Sequence, residues 1–397
     1  MRILIISNET PGKNLSGSGN YLHEVITVFL KKKIKLSYFL NTSYLSKSKV
    51  NKFIRPYKKK LNFYFVNQTN KTSNFLYQFY GGKKDEIEKD IQRTILVEKP
   101  DVLFLYGSAS ILWSENIVNV KKFCFVTEMP FEISKLRLKY QSNNFLKLLK
   151  NILYLIRGQL IQRKIVNILK GVTLIGHSSE DFRKILINKY NLKVKYYRHP
   201  NIFDKIDYNS LIKLRKKKIR KKFSILMVGK MSSINYAQYK YLNDELIFYF
   251  KKYLDIKNLR LNIVGANKNA NFKKLYENNF VVNKGFVNNI RNEYLSNDII
   301  LSASPISAGL RSRLHEAFNL GCVVICTKFD AYSDPTLKNN YNCLVSKNSK
   351  DIVNNINYLM NNKKKYYEIQ KKAFYTVKNE LNTSKIVQEY LKDIKKN

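Results

Sequence analysis

The chain has 397 residues, enough for two domains that each bury a core, and 44% are hydrophobic, including 28 Tyr and 23 Phe, which excludes a disordered polypeptide. Its 72 Lys and Arg against 29 Asp and Glu give a formal net charge of +43, a field that favours nucleic acid, an anionic membrane surface or phosphorylated substrates. Joint enrichment in Lys, Asn, Ile, Tyr and Phe is equally the mark of AT-rich coding, so charge alone does not choose among these partners.

Met1 to Ser7 is a nearly continuous apolar run of the kind a buried parallel strand requires, and a loop with Gly17, Ser18 and Gly19 follows it. Tyr21, Leu22, Val25, Ile26 and Phe29 then recur at helical spacing, and Ile34 to Leu40 closes a first strand–helix–strand unit. Short apolar runs at Val102 to Tyr106, Phe123 to Thr127, Val172 to Ile175 and Lys193 to Tyr197 alternate with helical stretches, which is α/β grammar. The spacing of Ser178 to Asp181 predicts a helix cap. In 213–222 eight of ten residues are basic, which places an interdomain linker there. The pattern restarts with strands Phe223 to Val228, Leu259 to Val264, Asp298 to Ala303 and Val323 to Thr327, then a helix bearing Ile352, Val353, Ile356 and Leu359. The expected domains are 1–205, a basic linker 206–222, a second domain 223–380, and a terminal helix 381–397 packing back toward the first domain.

The four cysteines, Cys124, Cys322, Cys326 and Cys343, have neither CxxC nor zinc-type spacing and read as reduced packing thiols of a cytoplasmic protein. No uncharged apolar stretch reaches the roughly 18 residues of a membrane span, so the chain is expected to be soluble or peripheral on the inner membrane face.

Chemistry concentrates between Gly285 and Thr327. A strand ends at Ser304-Pro305, a turn reaches Gly309 and Leu310, and a helix starts near Arg311 and Ser312, so its first backbone N–H groups form an anion site. Arg311 and Arg313 add charge-assisted hydrogen bonds, and Gly309 admits a phosphate to close approach. Glu316, about one and a half turns on, is a candidate acceptor for ribose hydroxyls, or else the partner of Arg313 on a solvated face.

This order of residues resembles the C-terminal signature of retaining glycosyltransferases with the GT-B fold, in the large family that includes sucrose synthase. The resemblance extends to the glycine-rich start Gly17-Ser18-Gly19-Asn20-Tyr21-Leu22-His23-Glu24, to Pro200-Asn201-Ile202-Phe203-Asp204 between the domains, and to Val228-Gly229-Lys230 at the second domain's opening. It implies two Rossmann-like domains with parallel sheets facing a central cleft. It further implies transfer of a sugar, with retention, from a UDP- or GDP-sugar substrate to a glycan or lipid-linked acceptor. Gly17, Ser18, Gly19, Gly229, Lys230, Gly309, Leu310, Arg311, Ser312, Arg313 and Glu316 would bind the donor, and Arg311, Lys230 and Glu128 would serve the reaction. The family's first glutamate is Ala308 here, its arginine is Lys230, and its following lysine is Asn235. With no Asp-x-Asp triplet in the chain, neither a metal nor a resident cofactor is expected.

Residues 133–179 hold nine Lys or Arg and no Asp or Glu, with Phe145, Leu148, Leu149, Ile152 and Ile156 on one helical face. That face lies either in the core or on an anionic membrane. Tyr236, Tyr239 and Tyr241 around Lys240 raise single-stranded nucleic acid, but no recognised nucleic-acid motif accompanies them and such a partner is not expected. Two rival functions remain at this stage. One is a catalytically silent shell that binds an anionic membrane or polymer, and the other is a nucleotide-sugar epimerase of the same shape.

Overall fold

The computed structural model describes all residues except 14–16, 42–46, 58, 67–83, 142–143, 204–205, 217–221, 231–232, 266–271 and 397. Asp204 and half of the basic run 213–222, residues 217–221, lie outside the described residues.

Two parallel sheets organise the chain. The first has order β3-β2-β1-β4-β5-β6-β7, with β1 Arg2–Ser7, β2 Lys35–Asn41, β3 Asn62–Val66, β4 Val102–Tyr106, β5 Lys121–Val126, β6 Leu174–His177 and β7 Val194–Tyr196. The second has order β10-β9-β8-β11-β12-β13, with β8 Phe223–Val228, β9 Leu259–Val264, β10 Val281–Gly285, β11 Ile299–Ser302, β12 Val323–Thr327 and β13 Cys343–Ser346. Both central strands, β1 and β8, are apolar along nearly their whole length because helices cover both faces of each sheet. In both sheets the order reverses beside that strand, and the crevice outside the strands' carboxyl ends at such a switch point is where α/β sheets bind ligands.

The basic segment is not a bare linker. Tyr208–Lys216 forms a helix whose Leu211 is fully buried in the second domain's core. Arg215 is buried too, donating to the carbonyls of Tyr294 (3.0 Å), Leu320 (3.0 Å) and Asn297 (2.6 Å). One of the run's cations therefore ties together element ends whose carbonyls would otherwise be buried without donors.

The C-terminal helix, Thr383–Lys396, returns to the first domain and buries Ile386, Val387, Tyr390 and Ile394 among β1, β2 and β4 side chains. Tyr390 and Tyr21 share a buried hydroxyl–hydroxyl bond of 2.7 Å. The two chain crossings between domains bind each other, since the Asn201 amide donates to Leu381 O (2.8 Å) and Thr383 Oγ1 to Asn201 O (3.0 Å). All four cysteines are buried free thiols. Tyr236 and Tyr239 are buried in the second core, so the Tyr–Lys alternation is no stacking surface for nucleic acid.

Candidate functional site

Two helix starts face each other across the cleft. The first helix spans Gly17–Lys31, so Gly17-Ser18-Gly19 is its opening turn and not a separate loop. The opposing helix is Ser312–Asn319, entered through Gly309 at φ +83° with Leu310 half-buried beside it. A Cβ placed on Gly17 would lie 3.8 Å from Ser312 Oγ, which shows how closely the two ends approach. Each end presents first-turn N–H groups that lack partners within their own helix, giving an electropositive gap of the kind that takes phosphate.

The first helix, through Ser18 and Asn20, lines two cavities. One, about 620 Å³, is shared by the domains, with Lys13, Asn20 and Phe203 on one wall and Phe286, Arg291 and Glu316 on the other. Phe286 is 85% exposed, an apolar plate at the mouth. Burial pushes the Glu316 carboxyl up to about 7, with the Tyr294 hydroxyl working in the opposite direction. The other cavity, about 370 Å³, lies in the first domain and is lined by Glu9, Ser18, Tyr106, Thr127, Glu128 and Arg137, among others. Glu128 is exposed, and the protein around its carboxyl, by displacing solvent, raises its pKa; nearby Glu9 adds to the rise, while Arg137 opposes it. Glu128 thus lines a cavity with Ser18, apart from the one that holds Glu316.

The two arginines point inward, and neither presents an open fork to the cleft. The Arg311 side chain is 6% exposed, with Nε on Asp330 Oδ1 (2.6 Å) and Nη2 on Ser304 Oγ (2.6 Å). Arg313 donates to Val228 O (2.6 Å), Asn235 Oδ1 (2.9 Å) and Gln238 Oε1 (3.0 Å), and burial beside Arg311 lowers its pKa to about 10. Asn235 Oδ1 also lies 3.4 Å from Arg311 Nη1, so the residue at the family's lysine position bridges both guanidiniums. The arginines fix the turn behind the helix start and add positive field there, with a carboxylate, hydroxyl and amide satisfying their forks. Gly229, at φ +152°, leaves room for Arg313, whose Nη1 would be 2.7 Å from a Cβ at that position. Lys230 beside it is exposed.

Sequence reasoning missed the carboxylate at the turn itself. Asp181, from the first domain, accepts from Ser307 Oγ (2.6 Å) and from the Gly309 amide (3.0 Å). The predicted cap by Ser178 is displaced, because Ser179 is the N-cap residue and bonds the Asp181 carboxylate instead of a helix amide. Burial opposes charge on Asp181, yet hydrogen bonds from Ser179, Ser307, Gly309 and Phe182 hold it below the usual carboxylate range. The signal available in sequence, Ser-Ser-Glu-Asp before a helix, reads as a local cap and hides a contact 128 residues away. Glu9 and Arg137 carry no motif at all and are found only because the fold brings the loop of Glu9 and the helix Pro130–Gln141 to one cavity.

Two parallel α/β sheets that meet at their switch points, with paired helix starts between them, define the GT-B architecture of glycosyltransferases. Residues 222–362, most of the second domain, match the family model of glycosyl transferases group 1. No curated protein matches the chain. Among solved structures the chain is similar to Anabaena HepE in complex with UDP-glucose, with 13% identity, 100% of each chain covered and a TM-score of 0.67. A glycosyltransferase from Rickettsia africae is 18% identical over 100% of this chain and 98% of that one, with a TM-score of 0.65. Sucrose-phosphate synthase from Thermosynechococcus elongatus is 11% identical over 100% and 98%, with a TM-score of 0.70.

Proposed function

We propose that the chain transfers a sugar from a UDP- or GDP-sugar to a glycan or lipid-linked acceptor, with retention at the anomeric carbon and without an essential metal. The observation that carries this reading is the close approach of the helix starts at Gly17 and Ser312, whose helices also line the two-domain cavity through Asn20 and Glu316. The diphosphate lies in the gap, where fixed N–H groups of both helices, exposed Lys230 and the field of Arg311 and Arg313 meet the charge that develops on the leaving group. Ribose bonds Glu316 and the base lies against Phe286. The acceptor enters the Glu9–Glu128 cavity, and Glu128 orients its hydroxyl. The uridine donor is favoured by HepE, whose structure holds UDP-glucose.

A second reading, a silent shell, draws on Asp181, which already occupies the Gly309 amide. Incubation with UDP- and GDP-sugars in the presence and absence of a chelator separates the two, with NMR of the released or transferred sugar giving its anomeric configuration. Nucleotide binding without any sugar release establishes the shell. Inverted product or loss of turnover on chelation overturns the finer claims.

A further inference from the structure

Three neighbouring strands of the first sheet aim their carboxyl ends at one cavity. β1, β4 and β5 run side by side, and at or just past their ends stand Glu9, Tyr106 and Glu128, which all line it. Gly107, at φ +90°, lets the two outer loops draw together, since a Cβ there would lie 3.5 Å from Thr127 Oγ1 and 3.7 Å from Asn8 Oδ1. At about 370 Å³ the cavity falls within the ~300–1,000 Å³ range of small-ligand sites. Leu112, Ile133, Tyr154 and Ile161 supply apolar wall, while Asn8 and Thr127 supply neutral polar groups. Such a lining suits a sugar ring, whose faces are C–H and whose edge carries hydroxyls.

Charge narrows the class of sugar. Among the described residues that line the cavity, the charged ones are Glu9, Glu128 and Arg137. After desolvation, the charge of Glu9 is the larger influence on the Glu128 carboxyl, ahead of that of Arg137. The Arg137 guanidinium lies over the Tyr154 ring, 5.4 Å from its centroid. Lys150, 5.8 Å from the same ring, is exposed and does not line the cavity. Burial, and with it both carboxylates, raises the pKa of Tyr106, whose hydroxyl bonds Ser18. The strand ends thus carry a negative spot in a chain of net charge +43. A carboxylate there accepts hydrogen bonds from two adjacent sugar hydroxyls and repels a second anion.

We propose that this cavity selects an uncharged sugar as the acceptor residue, its adjacent hydroxyls held by Glu9 and Glu128, and rejects uronic acids and phosphate-bearing sugars there. The role of that sugar as acceptor rests on the glycosyl-transfer reading, whereas the binding preference does not.

Calorimetry of the full chain with matched glycosides tests the preference. Methyl α-glucoside and methyl α-glucuronide differ only in bearing a hydroxymethyl group or a carboxylate, and methyl α-galactoside and its galacturonide form a second such pair. The wild type should bind the neutral member of a pair about tenfold or more tighter at low salt, with the margin shrinking at high salt. Glu9→Gln removes one repelling charge and should narrow the margin, whereas Arg137→Gln removes the lining cation and should widen it, each by roughly threefold or more. A merely structural role would not move the two variants in opposite directions, and where one fails to keep the wild-type circular dichroism the other decides. Equal or tighter binding of the uronides, a margin that stays put in a folded variant, or no binding of any of the four glycosides overturns the proposal. Preferred binding of a neutral glycoside by a chain that releases no sugar from UDP- or GDP-sugars upholds the preference and overturns the transfer reading alone.

Discussion

The carboxylate of Asp181 accepts the amide of Gly309 at 3.0 Å, joining the first domain to the turn before the second domain's helix Ser312–Asn319, where we propose the diphosphate binds. An internal carboxylate therefore holds one N–H of the group a diphosphate would use. Hydrogen bonds to a charged acceptor are worth about 1.5–3 kcal/mol, so Asp181→Asn should cost that much in denaturant unfolding while freeing Gly309 to bind nucleotide more tightly in calorimetry. The sign with pH follows from the lowered pKa of Asp181. Its contribution is complete above the unfolded value of 3.8 and disappears as pH falls through the lower folded one, so the gap between wild type and variant should close on acidification. Weaker UDP binding by the variant would mean that the carboxylate helps to build the site instead of competing for it.

Asn235 accepts from both Arg311 and Arg313, and this bond pattern explains why lysine at the position would be unwelcome. Asn235→Lys sets a third cation against two buried guanidiniums, and Asn235→Leu removes their shared acceptor. Each should cost about 1–3 kcal/mol of unfolding free energy, with the lysine variant recovering partly in high salt. A lysine variant as stable as wild type, with tighter UDP binding, would show that this cluster still accommodates the relatives' arrangement.

Removal of Thr383–Lys396 should unfold the first domain, although the deleted residues are remote from it in sequence. Ile386, Val387, Tyr390 and Ile394 each bury an apolar side chain worth about 1.5–3 kcal/mol, and their sum approaches the whole stability of a typical domain at about 5–15 kcal/mol. The milder Tyr390→Phe, which leaves the Tyr21 hydroxyl without its partner, should cost about 1–3 kcal/mol. A truncated chain with native near-ultraviolet circular dichroism would contradict the packing.

Strands buried on both faces were readable from sequence because their code is a bare apolar run, and β1, β4, β8, β9 and β12 appear where such runs stand. β3, β10 and β13 escaped notice. All three are edge strands; β3 and β10 are only half covered and carry Asn62 and Lys284, while β13 is buried but only four residues long, too short for its apolar run to stand out. Glycine and arginine positions were legible since a turn and a helix start constrain residue type locally. The partners of those arginines were not, because Asp330, Ser304, Gln238 and Asn235 reach them from other elements. The apolar face of Phe145–Lys170 was visible as a pattern, but its exposure depends on what packs nearby, which periodicity does not encode.

Glu316 gives a prediction in which stability and binding move in opposite directions. The folded chain keeps its proton up to about pH 7 because burial disfavours the charge, whereas the unfolded chain releases it near 4.5. The native state therefore loses stability as pH rises between those values, and ionised Glu316 is a standing cost above them. Glu316→Gln removes the titration. It should match wild type in strong acid and exceed it by up to about 3 kcal/mol above neutrality in denaturant melts. UDP affinity should fall roughly tenfold in the same variant, since an amide is a weaker acceptor for ribose hydroxyls than a carboxylate. Wild-type affinity should in turn rise with pH through about 7 as the carboxylate forms. Parallel stability curves for the two proteins would show that burial does not raise this carboxyl, and unchanged UDP affinity would remove Glu316 from the nucleotide site.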